Sequence, residues 1–520
     1  MIEFVALLGL LLAAVILAAL ARRVGVPYPV FLAIGGACLA FVPGAPALAI
    51  EPRLALALFV APVLLDAAFD SSPRDMRQNW VPLVNLVVVG VAVTTVAVAV
   101  VVRALMPSIP WPLAIALGAI VAPPDATAAT AILRHVKPPR RILTILEGES
   151  LLNDASALMI YRLSLVALTT STFSFVSAAP AFLLAVGGSI VGGRAAAWLM
   201  IRLTMRIRDV PTAIILQFIM TFGLWIVADE LGLSAVLTMV CFAVSVARPA
   251  AELTPARMRI PSFAVWETAV FVLNVLAFVF IGLQIRPIFM GLAPEARERY
   301  FWVAITVLLT VMVVRIVWVL IYYAVYRSVA KRVRRRAPSR PPPTLRGALV
   351  VGWSGMRGIV TLAAALALPH QINGATFPYR DLIVFTAFAV VLGTLVLQGL
   401  TLGPLLRTFR LRDDDPVERE VNAARDRALQ AALTTVDGLD SDVARTVRQE
   451  FASHLRATRG ADGDLDGDHE QLHRAALDAA RRTILDMRSN DEIGDDAFHQ
   501  LEREFDWMEM AHDPEEKSDH

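Results

Sequence analysis

Cysteine and charge are both scarce in this sequence of 520 residues. There are 2 cysteines, and Asp, Glu, Lys and Arg together make up 18% of the chain. Cys38 and Cys241 lie far apart inside apolar runs, without the spacing of a disulfide or metal-binding framework. We therefore interpret them as small packing residues and expect neither a disulfide scaffold nor a cysteine-ligated metal.

Apolar residues are abundant instead. They make up 57% of the chain, and the mean hydropathy is +0.61, a composition typical of polytopic membrane proteins. A spanning helix needs roughly 20 mostly apolar residues, and on that basis we predict an all-α membrane protein with about thirteen transmembrane helices. The predicted spans are approximately residues 4–21, 28–49, 53–71, 80–105, 111–133, 144–169, 175–201, 210–229, 232–247, 262–290, 300–325, 347–369 and 380–406.

Basic residues in the loops predict the orientation of these spans. Cytoplasmic loops concentrate Lys and Arg, and here the basic groups fall in alternate loops, from Arg22 to the run Arg327–Arg340. This alternation fits an odd number of spans, with the N-terminus outside and the C-terminus in the cytoplasm of a plasma (inner) membrane. We interpret the basic run as a topology anchor beside anionic lipid, and not as a nucleic-acid site.

The composition changes near Arg410, where the apolar runs end and Asp, Glu, Arg and Ala dominate. We therefore divide the chain into a membrane part, residues 1–409, and a soluble, regulatory cytoplasmic tail, residues 410–520, helical in pieces. Within the tail, the stretch 462–467 resembles the opening of a calcium-binding EF-hand loop. The position that should supply its bidentate Glu holds His473, so we interpret the stretch as a solvated acidic turn and leave the ligand of the tail unidentified.

Two apolar segments between Trp111 and Thr170 each carry a carboxylate near the middle. Asp125 follows two prolines, and Asp154 ends the sequence ESLLND. Each lies about ten residues from the basic turn that joins the segments. At 1.5 Å per residue, both reach about 15 Å into an apolar core of about 30 Å. Ionisable residues at that depth are costly and are functional candidates by default.

The backbone before Asp125 is the second sign of a site. Pro123 and Pro124 remove two helical N–H donors, which would free the carbonyls of Ala119 and Ile120. Unwound backbone at membrane depth is tolerated only where it is buried in protein or lines a cavity. Free carbonyl oxygens beside a carboxylate are ligands of the kind that a small cation needs.

Helical spacing aligns the polar residues of the second segment. Ser150 and Asp154 are four residues apart and share one helix face, while Glu149 and Asn153 share the adjacent face. One face can offer a hydroxyl and a carboxylate to an ion. The other can hold a neighbouring helix through a buried hydrogen-bonded network.

The segments PPDATAA and EGESLLNDASAL resemble the monovalent cation/proton antiporters of the NhaP and sodium–proton exchanger type. The resemblance covers about residues 1–410 and implies a homodimer built from inverted repeats with broken helices. It identifies Asp154 as the carboxylate that exchanges cation and proton. It makes Asp125 and Ser150 further cation-binding residues.

The resemblance also assigns supporting residues. Glu149, Asn153 and the Pro123 break would hold the site in place. Many family members have Thr immediately before the first Asp, where this chain has Pro124. Thr127 is the candidate to supply a ligand in its place.

Arg357 lies near the middle of a predicted span, where an arginine needs a carboxylate partner. The resemblance suggests a structural ion pair with Asp66 in the third span, a position at which family members usually have Glu. Gly352, Gly355 and Gly358 recur every third residue around Arg357. This spacing allows either close helix packing or a second broken segment.

The resulting hypothesis is a secondary transporter that exchanges Na⁺, or Li⁺ or K⁺, for H⁺ by alternating access. Asp154 would bind one cation or one proton, never both. By the resemblance, Asn153 beside it accompanies electroneutral one-for-one exchange. The expected partners are monovalent cations, protons and lipid, and we expect no cofactor, no nucleic acid and no enzymatic reaction.

Three alternatives stay open. A K⁺/H⁺ antiporter of the same family would use the same oxygen ligands, and a cation channel would conduct without coupling to protons. The third is a rhomboid-like intramembrane protease, because Gly352-Trp353-Ser354-Gly355 has the GxSG form. Ser354 would then need a His base within hydrogen-bond reach, and His370 lies at the far end of the same predicted span.

Overall fold

The computed structural model describes most of the membrane part of the chain. It covers residues 2–24, 26–42, 51–70, 73–136, 138–169, 175–254, 256–332, 344–372, 375–409 and 411, then 429–435 and a few positions between 442 and 483. The chain divides into two compact units, Met1–Asp413 and Asp414–His520. The EF-hand-like stretch lies outside the described residues, and the boundary at 409 and the regulatory role of the tail stay predictions.

The described chain is helical almost throughout, which confirms the all-α prediction. A single ladder of two-residue antiparallel strands, β1 (Gln371–Ile372) and β2 (Ala375–Thr376), stands out among the described residues. The helices are α1 (Ile2–Val24), α2 (Tyr28–Leu39), α3 (Pro52–Ala55), α4 (Ala61–Asp70), α5 (Pro73–Gln78), α6 (Trp80–Val84), α7 (Val91–Leu105), α8 (Trp111–Val121), α9 (Ala126–Val136), α10 (Arg140–Thr169), α11 (Phe175–Thr204), α12 (Val210–Glu230), α13 (Ala235–Leu253), α14 (Ala256–Leu283), α15 (Ile285–Met290), α16 (Pro294–Arg332), α17 (Leu345–Trp353), α18 (Ile359–Leu366) and α19 (Arg380–Phe409).

Nine helical stretches in the described part are long and apolar enough to cross a membrane, and two shorter ones, Tyr28–Leu39 and Ala235–Ala247, are also apolar. Each predicted span coincides, as far as the chain is described, with a helix or with consecutive helices. The ninth starts later than predicted, at Ala235, because Gly232 adopts a positive φ of 72° in the turn before it. The count of thirteen spans stays a prediction.

Two of the predicted spans contain a π-helical stretch that the sequence did not indicate. Leu56–Val60 joins α3 to α4, and Asn85–Gly90 joins α6 to α7. A π-helical turn displaces carbonyls from the regular backbone ladder, and such turns are frequent at functional sites. The second stretch is close to the candidate site.

Helix α8 lies at the centre of a bundle formed with α7, α10 and α16–α19. Leu113 and Leu117 of α8 are fully buried. The contact with α7 is close: a Cβ on Gly118 would lie 2.4 Å from the Thr95 carbonyl oxygen, so only glycine fits there. A second group of helices, α1, α2, α4 and α11–α14, packs mainly on itself.

Candidate ion-binding site

Two helix breaks meet inside the α8 bundle. The first separates α8 from α9 at residues 122–125, and the second separates α17 from α18 at residues 354–358. The N–H of Asp125 donates to the carbonyl oxygen of Met356 at 2.7 Å. The prolines predicted the first break, and the glycine spacing left the second as one of two interpretations. The structure forms both and places them in contact.

The carboxylate of Asp125 lies between the N-terminal ends of two half-helices. Its Oδ1 accepts the N–H of Thr127 at 2.8 Å, which caps α9. Its Oδ2 lies against Gly358, the residue before α18: a Cβ there would be 1.6 Å from this oxygen. Helix N-terminal ends carry partial positive charge. The charge of Asp125 therefore balances the α9 and α18 ends, and Thr127 contributes its backbone to this arrangement.

The guanidinium of Arg357 compensates the partial negative charge at the other end of the first break, where α8 ends. The residue is 1% exposed. Its Nε donates to the carbonyl of Val121 at 3.1 Å and its Nη2 to that of Ala122 at 3.3 Å, while Nη1 donates to the Gly355 carbonyl. Helix C-terminal ends carry partial negative charge. The guanidinium is thus stabilised by the end of α8 and by its own break.

One sequence prediction about this region is corrected by these contacts. The ion pair predicted between Arg357 and Asp66 is not formed between these two described side chains, because the guanidinium hydrogen-bonds with backbone carbonyls where the breaks cross. Arg357 donates to the carbonyls of Val121 and Ala122 at the first break, and the release of the Ala119 and Ile120 carbonyls by the two prolines stays a prediction. Helix α8 continues to Val121, so its last carbonyls are the ones left for other donors.

Glu149 forms a buried ion pair with Arg315 of α16. Arg315 Nη1 lies 2.6 Å from Glu149 Oε1, and Nη2 lies 2.9 Å from Oε2. Nη2 also donates to the Val351 carbonyl in the last turn of α17 at 3.2 Å. Arg315 was not among the residues predicted for the site. The signal was present, because this lone arginine interrupts the apolar run LLTVMVVRIVWVL.

Ser150 and Asn153 connect α10 to the first break. The Ser150 hydroxyl accepts the N–H of Ala126, the first residue of α9, at 3.0 Å. The Asn153 Nδ2 donates to the Pro124 carbonyl at 2.8 Å, so Pro124 contributes an acceptor. The Asn153 Oδ1 is buried without a hydrogen-bond donor among the described residues. The Pro123–Asp125 break is thus held from α10 at two points.

Asp154 differs from Asp125 and Glu149 in the hydrogen-bond partners of its carboxylate. It is 8% exposed and lies one helical turn after Ser150, on the same face of α10. No described residue forms a hydrogen bond or an ion pair with its side chain. Asp125 and Glu149 already have partners, so Asp154 is the buried carboxylate of this site that is available to a ligand.

The π-helical stretch Asn85–Gly90 packs on the same part of α10. The Ser156 hydroxyl donates to the Val87 carbonyl at 2.7 Å, two residues beyond Asp154. The Trp318 indole N–H donates to Asn85 Oδ1 at 3.1 Å. This irregular backbone therefore connects α10 with α16, and no sequence pattern indicated it.

The pairing that an intramembrane serine protease needs is absent between the two residues proposed for it. Ser354 is 1% exposed, and its hydroxyl has no hydrogen-bond partner in the described part of the chain. His370 follows α18 and is exposed. Ser354 begins the break before α18, so the whole of α18 separates it from this histidine along the chain.

Comparison with known proteins supports one family. The profile of the family "Sodium/hydrogen exchanger, transmembrane" matches residues 10–408. A "Sodium, potassium, lithium and rubidium/H(+) antiporter" of Bacillus pumilus (strain SAFR-032) is 29% identical over 80% of this chain, and the match spans 63% of that relative's length. An uncharacterised Na⁺/H⁺ exchanger of Mycobacterium tuberculosis (strain ATCC 25618 / H37Rv) is 30% identical over 97% of this chain and 95% of its own.

The fold is also that of a solved antiporter. The structure of the sodium proton antiporter MjNhaP1 from Methanocaldococcus jannaschii at pH 8 superposes with a TM-score of 0.59. It covers 79% of this chain and 99% of its own, at 18% identity. At that identity the likeness concerns the fold alone. The family profile covers most of the chain, and the chain belongs to the transmembrane sodium/hydrogen exchanger family.

Proposed function

We propose that this protein is a secondary antiporter that exchanges Na⁺ for H⁺ across the membrane, with Asp154 as the exchanging carboxylate. The observation that carries the assignment is the state of the three buried carboxylates. Asp125 caps a helix end, Glu149 is paired with Arg315, and Asp154 has no described partner. Family membership supplies the transport class.

The mechanism follows from a single available carboxylate. Asp154 binds one cation or one proton, and the two compete because each neutralises the same charge. Ser150, on the same helix face, offers its hydroxyl oxygen, and Asp125 contributes negative charge nearby. The loaded protein alternates between states open to opposite sides of the membrane.

One titrating group favours one-for-one, electroneutral exchange. Asn153 stands beside Asp154, and its amide donates to the Pro124 carbonyl, so it supports the backbone and adds no charge. Arg357 and Arg315 would then keep fixed charges through the cycle. The contacts of these two arginines with Glu149 and with the helix ends would hold the break, while only Asp154 exchanges a cation for a proton.

The transported ion is proposed from the relatives. One relative is named for sodium, potassium, lithium and rubidium, and others for sodium. Na⁺ is therefore the first candidate, and K⁺ exchange by the same site is the alternative. We also propose a homodimer in the plasma (inner) membrane, with the N-terminus outside, the C-terminus in the cytoplasm, and residues 410–520 as a regulatory tail.

The test is proton-coupled flux in everted membrane vesicles. A pH-sensitive dye reports the collapse of an imposed proton gradient when Na⁺, Li⁺ or K⁺ is added separately at several pH values. We expect Asp154→Asn to abolish the response at wild-type levels of folded protein. Asp381→Asn, the same change at an exposed position in the first turn of α19, is the matched control and should remain active.

The outcomes separate the alternatives. Substantial proton-driven Na⁺ flux in Asp154→Asn would contradict the assignment of the exchanging group. A cation conductance that does not move protons would indicate a channel. Labelling of Ser354 by a fluorophosphonate would support the protease alternative.

A further inference from the structure

One face of α19 lies against the second break. Thr394, Gln398 and Thr401 follow one another at spacings of four and three residues, which places them on the same side of the helix. The Thr394 hydroxyl oxygen accepts the N–H of Arg357 at 3.0 Å, and that of Thr401 accepts the indole N–H of Trp353 at 2.9 Å. These two threonines contact the two ends of the segment 353–357. Gln398 lies between them.

Gln398 is completely buried, and its side-chain amide makes no hydrogen bond with a described residue. Its exposure is 0%, and neither Oε1 nor Nε2 has a partner among the described residues. Burying an amide costs free energy unless it is hydrogen-bonded, and the cost is greater in an apolar surrounding. A primary amide also needs both a donor and an acceptor to be satisfied. The Gln398 amide therefore needs a further partner that supplies both a hydrogen-bond donor and an acceptor.

Ser354 presents the same deficit in the adjacent break. It is 1% exposed, and its hydroxyl has no partner in the described part of the chain. It follows Trp353, which is hydrogen-bonded to the same face of α19. Two unsatisfied polar groups, an amide and a hydroxyl, are thus brought to one helix crossing.

The side of α19 next to this face is in contact with apolar atoms at Gly399. A Cβ on Gly399 would lie 2.4 Å from Val30 Cγ2 and 3.6 Å from Met356 Sδ, so α2 packs closely there with apolar atoms. Leu395 and Leu402 of α19 are also fully buried. Turning the amide towards these side chains would leave it unsatisfied as well.

We propose that Gln398 and Ser354 bind buried water behind the second break. Water both donates and accepts, so it can satisfy Oε1, Nε2 and the Ser354 hydroxyl together. A bound cation would use only the oxygens and would leave the Nε2 donors facing a positive charge. No carboxylate among the described residues forms a hydrogen bond with this amide. Water is the ligand that fits this donor and acceptor set.

This water has a structural consequence for the candidate ion site. It connects α19 to Ser354, while Thr394 holds the backbone of Arg357 and the carbonyl of Met356 accepts the N–H of Asp125. The break is therefore held from α19 by two threonines and by the water between them. Gln398 is a positioning residue: it acts on Asp125 only through the segment 353–357.

The direct test is a cryo-EM map of the whole protein in lipid nanodiscs, at a resolution that shows ordered water. One sample contains Na⁺ and the other contains N-methylglucamine as the only cation. We expect a peak within hydrogen-bond distance of the Gln398 amide and the Ser354 hydroxyl in both maps. A peak seen only with Na⁺ would indicate a cation site and overturn the proposal, as would a direct Gln398–Ser354 hydrogen bond or no peak.

A double-mutant cycle tests the link between the two side chains. Gln398→Met removes the amide at similar length, Ser354→Ala removes the hydroxyl, and Leu397→Met on the exposed side of α19 is the control. If one water bridges both groups, Gln398→Met leaves the buried Ser354 hydroxyl unsatisfied, so the double variant should melt in detergent at a temperature no lower than that of Gln398→Met alone. Additive shifts would contradict a shared water. Neither measurement depends on which ion the protein transports, so failure here leaves the proposed function standing.

Discussion

At the scale of single residues, the partners of each charge decide its role. Three carboxylates lie within one region, but Asp125 is used by helix ends and Glu149 by Arg315. Arg315 and Glu149 are 7% and 2% exposed as side chains. Ions this deeply buried are tolerated only when they are paired and hydrogen-bonded. Asp154 lacks such a partner among the described residues, which suits the group that we propose to alternate between a cation and a proton.

The Glu149–Arg315 pair predicts a stability effect that depends on which partner is removed. Glu149→Leu leaves a buried, unpaired guanidinium and should destabilise the protein by about 3–5 kcal/mol, whereas replacing both residues with leucine removes both charges and should cost much less. Thermal melting in detergent of the wild type, both single variants and the double variant measures this. A double variant no more stable than Glu149→Leu would show that the pair does not act as a unit.

At the scale of elements, the two broken helices form a compensated crossing. The carboxylate of Asp125 lies at the N-terminal ends of α9 and α18, and Arg357 lies at the C-terminal end of α8. Arg315 donates to Val351 near the end of α17. Each half-helix end at the crossing thus has a charge of opposite sign against it. This lets four helix ends lie in the middle of an apolar bundle.

A substitution of Gly358 tests how closely the two broken helices approach each other. In Gly358→Ala, the new Cβ would coincide with Asp125 Oδ2, so the carboxylate must leave the end of α18. We expect a destabilisation of about 1–3 kcal/mol together with loss of exchange in everted vesicles. The control is Gly223→Ala in α12, where a Cβ meets nothing within 4 Å; it should retain stability and transport. Wild-type exchange in Gly358→Ala would contradict a close crossing.

At the scale of the whole molecule, the basic loops predict the membrane orientation. Lys and Arg fall in alternate loops along the chain, and the densest run is Arg327–Arg340. Retention of such loops in the cytoplasm is the general rule for short connections. With an odd number of spans, the two termini must then lie on opposite sides.

Reporter fusions test this orientation. Because we propose that the C-terminus is cytoplasmic, we expect a fluorescent protein fused after His520 to fluoresce and alkaline phosphatase at the same position to be inactive. A phosphatase fused within the loop between α12 and α13, residues 231–234, is the matched reporter for the outer side and should be active. Active phosphatase at the C-terminus would contradict the proposed cytoplasmic position of this terminus.

The sequence by itself determined the class of protein, most helix positions and the first break. Apolar runs must become helices in a membrane because every backbone group there has to be satisfied internally. Pro123 and Pro124 interrupt one of them for a reason local to the chain. The spacing of Ser150, Asn153 and Asp154 within one helix is likewise a local property, and the structure keeps it.

The tertiary structure alone decided which distant groups meet. Arg315 reaches Glu149 across 166 positions of the chain, and Arg357 reaches Val121 across 236. A buried guanidinium is satisfied equally well by a carboxylate or by the carbonyls at a helix end, so its need for a partner is visible in the sequence but the partner's identity is not. Packing of the two breaks against each other selects the carbonyls of α8 for Arg357 and leaves Asp154 available.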